Sequence, residues 1–176
     1  LERAVTSAIN VAAGVESHLG ADDRVYTRGK RAQEWFINSY PLLGALAASF
    51  DIIEDPLVCA SMDISVAAVD EVIKEIYINS AAGLDEYECR FVMAHELLHV
   101  GLRHHDRRKG REPYLWNVAC DYVINGWLVE INLGEIPVRA AGLYDPELKG
   151  LSAEAVYDRI VRDIRTYRKL ATLRGV

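Results

Sequence analysis

Residues 92–110 read VMAHELLHVGLRHHDRRKG, and this stretch holds four of the five histidines of a 176-residue chain: His95, His99, His104 and His105. H-E-L-L-H sets His95 and His99 four residues apart. At 3.6 residues per turn such side chains differ by about 40° around a helix axis, so both imidazoles leave one face. Paired imidazoles at this spacing suit a zinc ion at about 2 Å from each nitrogen, with Glu96 beside the ion's open coordination position. A carboxylate there takes a proton from a water that the metal has made more acidic. The flanking Phe91, Val92, Ala94, Leu97, Leu98 and Val100 are apolar nearly all round. That marks a buried helix, and a buried His-Glu-His group needs partners. Zinc is the partner it predicts.

Two histidines leave a protein zinc site one ligand short. His105 lies six residues after His99, the spacing of H-E-x-x-H-x-x-G-x-x-H, but position 102 is Leu and the glycine comes one residue early, at Gly101. His104 points about 140° away from His99 if the helix continues. Asp121 is the third candidate and the preferred one. Asn117, Asp121 and Asn125 recur every four residues in WNVACDYVIN. Two asparagines bracketing an aspartate suit a ligand held by hydrogen-bonding neighbours, and an antiparallel helix–loop–helix brings it back over the histidines.

Outward from the motif, GLDEYECR starts the active helix, with Asp85 as N-cap and Glu88 at capping-box spacing. Residues 114–131 form a further helix with an apolar stripe from Trp116 to Ile131. Ser152 caps a last one, read to residue 173. Upstream, residues 1–18 carry Val5, Ile9, Ala12 and Ala13 at helical spacing, and RGKRAQEWFIN is a second helix ended by Pro41. LLGALAASFDII and PLVCASMDIS read as two strands with Asp55-Pro56 at the turn between them, and VIKEIYINS as a strand with one polar-leaning face. In SMDISVA, Asp63 and Ser65 read as turn residues, because the D-x-S-x-S of a metal-dependent adhesion motif is broken at Ala67. Helices, a small mixed sheet and helices again define one α+β domain over residues 1–176.

The formal net charge is −6 and the pI about 5.4. A general nucleic-acid or anionic-membrane binder leans the other way, and the basic run RHHDRRKGR alone is a thin footprint for one. No apolar run approaches the roughly 18 residues that span a bilayer. The start LERAVTSAINVAAG lacks the pattern of a secretory signal. With no leading Met and an abrupt end, the chain reads as a piece of a longer protein. Cys59, Cys89 and Cys120 are odd in number and widely spaced, which suits buried thiols in a reducing compartment. Cytoplasm is the expected location.

Three stretches around the histidine helix, SYPLLGALAASFDIIEDP, WNVACDYVIN and GLYDPELKGLSAEAVYDRI, together resemble one family. It is the zinc-dependent metallopeptidase domain often found N-terminal to von Willebrand factor A-like domains, and the resemblance runs from about residue 30 to residue 160. It implies a zincin-like fold, a cytoplasmic bacterial or phage setting, and in many relatives the company of an AAA+ ATPase. It also implies His95, His99 and Asp121 as metal ligands and Glu96 as the catalytic glutamate.

For the substrate, a protein or peptide, VIKEIYINS is the natural edge strand to pair with an extended chain. Arg103, Arg107, Arg108, Lys109 and Arg111 suit a helix C-terminus that favours cations, or acidic groups of a substrate. Tyr114, Tyr122 or His105 are candidate donors to an oxyanion. The leading expectation is a metallopeptidase that hydrolyses peptide bonds through a zinc-activated water with Glu96 as general base. The alternative is a non-catalytic, zinc-stabilised interaction module serving a partner such as an AAA+ ATPase, its fourth position closed by His104 or His105.

Overall fold

The structure, a computed structural model, describes residues 26–138 and 140–163. The helix expected over residues 1–18 and the last part of the C-terminal helix lie outside them. The described chain runs α1 (Arg28–Ser39), α2 (Pro41–Ala47), β1 (Asp51–Ile53), α3 (Pro56–Ser61), β2 (Ala67–Asp70), β3 (Glu75–Ile78), α4 (Glu86–Gly101), α5 (His104–Arg107), α6 (Pro113–Glu130) and α7 (Ala153–Arg162). Short 3-10 turns link β3 to α4 and α6 to α7. It is α+β, mostly helical, with one small mixed sheet, as expected from the sequence.

Two of the expected strands are mostly helix. Pro41 occupies the first turn of α2, where its missing N–H costs nothing, and the Leu- and Ala-rich run behind it favours helix. Only its tail, Asp51–Ile53, is strand. Asp55-Pro56 is likewise a helix start and not a turn between strands. The Asp55 carboxylate accepts from the N–H groups of Leu57 and Val58, and Pro56 follows as the first helical residue. Asp63 does sit in a turn, at φ 55°.

VIKEIYINS yields β3, but as the central strand. The order is β1-β3-β2, with β1 parallel and β2 antiparallel to β3. Ile76, Tyr77 and Ile78 are all buried, so the polar-leaning face expected of this strand is covered. β2 is an edge in its place.

One apolar core surrounds α4 and joins Phe36, Phe50, Ile76, Phe91, Met93 and Leu97 to Ile124 and Leu128 of α6. A second lies between α6 and α7, around Trp116, Leu143, Val156 and Ile160. Each large apolar side chain fully buried in this way contributes about 1.5–3 kcal/mol. α6 therefore serves two cores at once, which is why its apolar residues exceed a single stripe. Behind α6, Gly134 at φ 75° lies so close to the first turns of α4 that a Cβ would stand 2.6 Å from the Tyr87 carbonyl oxygen. Only glycine fits there.

Candidate metal centre

α4 begins with the expected capping box: the Glu88 N–H donates to Asp85 Oδ1 at 2.8 Å and the Asp85 N–H to Glu88 Oε2 at 2.9 Å. Its later turns carry His95 and Glu96, both buried, and His99, partly buried. The helix stops at Gly101, and Arg103 turns the chain through the left-handed region at φ 54°. Leu102, at the position where the longer motif has its glycine, stays right-handed at φ −88°, and the turn falls one residue later. After this turn His104 points inward, 4% exposed, and His105 outward.

α6 packs against α4 and brings Asp121 to the histidines. His95 Nε2 and His99 Nε2 are 3.0 Å apart, and Asp121 Oδ1 lies 3.2 Å from the first and 3.0 Å from the second. Around a tetrahedral ion bound at about 2.0–2.1 Å, neighbouring ligand atoms are roughly 3.3 Å apart. Three donor atoms in so tight a triangle therefore fit one small cation, and these residues form a group that can hold a metal ion.

The surrounding bonds aim these atoms. His95 Nδ1 donates to Asn125 Oδ1 at 2.8 Å, and Asn125 Nδ2 donates to the Leu143 carbonyl at 3.2 Å, which fixes the amide's orientation. Asn117 Nδ2 donates to Asp121 Oδ2 at 3.3 Å, leaving Oδ1 for the site. Of the two asparagines in the stripe, Asn117 thus bonds to Asp121 as its spacing suggested, whereas Asn125 reaches His95 instead. Burial alone would raise the pKa of Asp121, but the His95 and His99 rings set against its carboxylate overcome it and hold the group down to about 2. Beside it, burial followed by the neighbouring Asp121 pushes the Cys120 thiol well up, so it stays protonated and is no ready ligand. Cys59, Cys89 and Cys120 are all free and buried.

The triangle opens on a cleft of about 520 Å³. β2 and the residues after it, 67–72, form one wall, and Glu96 reaches it from α4. Tyr114, His105 and Arg108 also border it. Tyr122 does not: its hydroxyl donates to the Gly142 carbonyl at 3.2 Å, toward the second core. The basic cluster is largely occupied. Arg103 pairs with Asp106, Arg107 with Glu154, and Arg111 lies over the rings of Trp116 and Tyr157. Arg107 also donates to the Leu102 carbonyl at the end of α4, the helix-end role expected of a cation there. Sequence reasoning missed β2 as a wall, since AAVD carries no signal of its own, and missed what His104 touches.

An α+β domain that gathers two imidazoles and a carboxylate beside a cleft has the makings of a metal-dependent protein. Comparison with known families is consistent with that class. Residues 25–172 match the family described as "Putative metallopeptidase domain", and the chain belongs to that family. No curated protein and no solved structure matches it.

Proposed function

We propose that the protein is a zinc-dependent metallopeptidase that hydrolyses peptide bonds, with a zincin-like arrangement of sheet edge and active helix. The observation that carries this reading is the triangle of His95 Nε2, His99 Nε2 and Asp121 Oδ1 with Glu96 on the same cleft. Two nitrogens and one carboxylate oxygen suit zinc. When bound, zinc supplies a Lewis acid that polarises a peptide carbonyl and makes a water acidic near neutral pH.

The chain's own residues supply the rest. His95 and His99 offer Nε2 lone pairs and Asp121 a fixed negative charge. Glu96, next to His95 and three residues before His99, holds and moves the proton at its carboxylate, first from the attacking water and then to the leaving amine. β2, an edge strand on the cleft, offers backbone groups to an extended peptide. Tyr114 and His105, which border the cleft, are the candidates to donate to the carbonyl oxygen. The motif resemblance adds a cytoplasmic setting and an AAA+ ATPase or von Willebrand factor A-like domain as partner, which co-purification tests. No described helix is long and apolar enough to cross a membrane.

A structural zinc module needs its fourth position closed by a side chain. What favours catalysis over that reading is the placement of the spare histidines. His104 lies against the far nitrogen of His99, at 3.2 Å from Nδ1, and His105 is exposed. Glu96→Gln is the test. It is expected to retain one zinc per chain and to cut cleavage of a peptide substrate by at least about 100-fold, the scale of a lost general base. Undiminished cleavage overturns the role of Glu96, and four protein ligands around the bound zinc overturn the peptidase reading.

A further inference from the structure

Among the described residues, the metal-centre reading leaves one histidine without a task. His104 is buried, and its Nδ1 stands 3.2 Å from His99 Nδ1, while its Nε2 is buried with no partner among the described residues. We propose that His104 is a positioning residue: its Nδ1 accepts the proton of His99 Nδ1 and so keeps the His99 Nε2 lone pair turned toward the metal. The inference rests on the metal-binding reading above.

The argument is one of proton counting. A neutral imidazole carries one N–H and one lone pair, and the hydrogen bond made by one nitrogen decides what the other offers. His95 meets this requirement through Asn125, whose amide oxygen takes the Nδ1 proton. His99 has no amide at that position. Its Nδ1 faces a second imidazole nitrogen, and two such nitrogens at 3.2 Å share a single proton. With that proton on His99, Nε2 is bare and can bind a metal. With it on His104, His99 carries its own proton on Nε2, aimed at Asp121 Oδ1 3.0 Å away, and cannot bind. Ligation therefore selects one tautomer of both rings: Nδ1–H on His99 and Nε2–H on His104.

The surroundings of His104 fix its ring for this task. Arg103 turns the chain through the left-handed region immediately before it. The Trp116 indole N–H donates to the His104 carbonyl at 2.8 Å. The ring stands edge-on to His99, centroids 5.2 Å apart, and to Trp116 at 6.1 Å. The unpartnered Nε2 is the second observation. A phenylalanine would fill this space without stranding a buried polar group, so packing does not account for a histidine. Its Nδ1 does.

The experiment is long-range 1H–15N correlation on histidine-labelled protein loaded with zinc, joined to zinc affinity by chelator competition. Wild type is expected to show His99 bound through Nε2 with a protonated Nδ1, and His104 protonated on Nε2. His104→Phe, checked for unchanged metal-free thermal stability, is expected to bind zinc about 10–100-fold more weakly, the usual effect of removing a partner behind a ligand. His104→Asn, which sets an acceptor oxygen near the place of Nδ1, is expected to recover part of that loss. A proton on His104 Nδ1, ligation through His99 Nδ1, or a folded His104→Phe variant with wild-type affinity overturns the inference and leaves the peptidase reading standing. Wild type that binds no zinc overturns the metal-centre reading, and this inference with it.

Discussion

α4 and α6 contribute to one centre in physically different ways. The two imidazoles of α4 are four residues apart on a single helix, so their approach to 3.0 Å comes with helix formation itself. The carboxylate of α6 is 22 and 26 residues from them, and reaches 3.0–3.2 Å only after α4 and α6 have packed and the intervening loop has closed. Half of the centre is thus local and half is tertiary. Closing such a loop and ordering two helices costs conformational entropy that the shared core must offset. On the proposed reading, metal affinity is therefore a gauge of how well α4 and α6 are docked.

The sharpest way to separate the halves is Asp121→Ala, which leaves the local pair intact. If binding energy is shared among ligands, about 3 kcal/mol is lost, or roughly 100-fold or more in zinc affinity. Metal content after dialysis reads it, and zinc should then raise the thermal midpoint far less than in wild type. Binding unaffected by this change would show that the tertiary half is dispensable. Gly134→Ala attacks the docking directly, through a positive φ and a Cβ 2.6–2.7 Å from the backbone of Tyr87 and Phe91. We expect roughly 2–4 kcal/mol of destabilisation in denaturant unfolding, with weaker zinc binding in whatever folds.

Asn125→Leu tests the local half from behind, by removing the acceptor of the His95 Nδ1 proton. Zinc affinity should fall about 10–100-fold while the fold persists, read by chelator competition. The smallest effect belongs to the bridge between Arg107 of α5 and Glu154 of α7. The Arg107 guanidinium holds Glu154 down to about 2, against an ordinary value of 4.5. The folded pKa is depressed, so the contribution is present above about pH 4.5 and is lost as pH falls toward 2. The pair is one-third exposed, so we expect no more than about 1 kcal/mol. Stability of Glu154→Gln relative to wild type, followed from pH 6 to pH 3, should show the gap closing on acidification.

Legibility in the sequence followed the same division. His95, Glu96, His99, the Asp85–Glu88 capping box and the Asn117–Asp121–Asn125 stripe are short-range patterns, and each could be read from spacing. The upstream half was harder. LLGALAASFDII and PLVCASMDIS are short apolar runs that periodicity cannot assign, and their helical starts lie in Pro41 and in Asp55-Pro56, where a turn reading competed with a cap. The centrality of β3 was hidden because strand order is set by packing around Ile76 and Ile78, not by the strand's own residues. His104 was visible as a histidine, but its inward turn depends on a left-handed Arg103 that sequence gives no reason to expect.

The bond from the Trp116 indole to the His104 carbonyl has an optical consequence. Trp116 is 4% exposed and lies edge-on to the ring that backs His99, whereas Trp127 is 42% exposed and Trp35 packs against Arg90 in the other core. Of the three tryptophans, Trp116 is thus the fluorophore nearest the proposed metal centre in its contacts. Replacing Trp35 and Trp127 with phenylalanine would leave a protein whose emission is expected to report, without any added dye, the arrival and departure of the proposed ion.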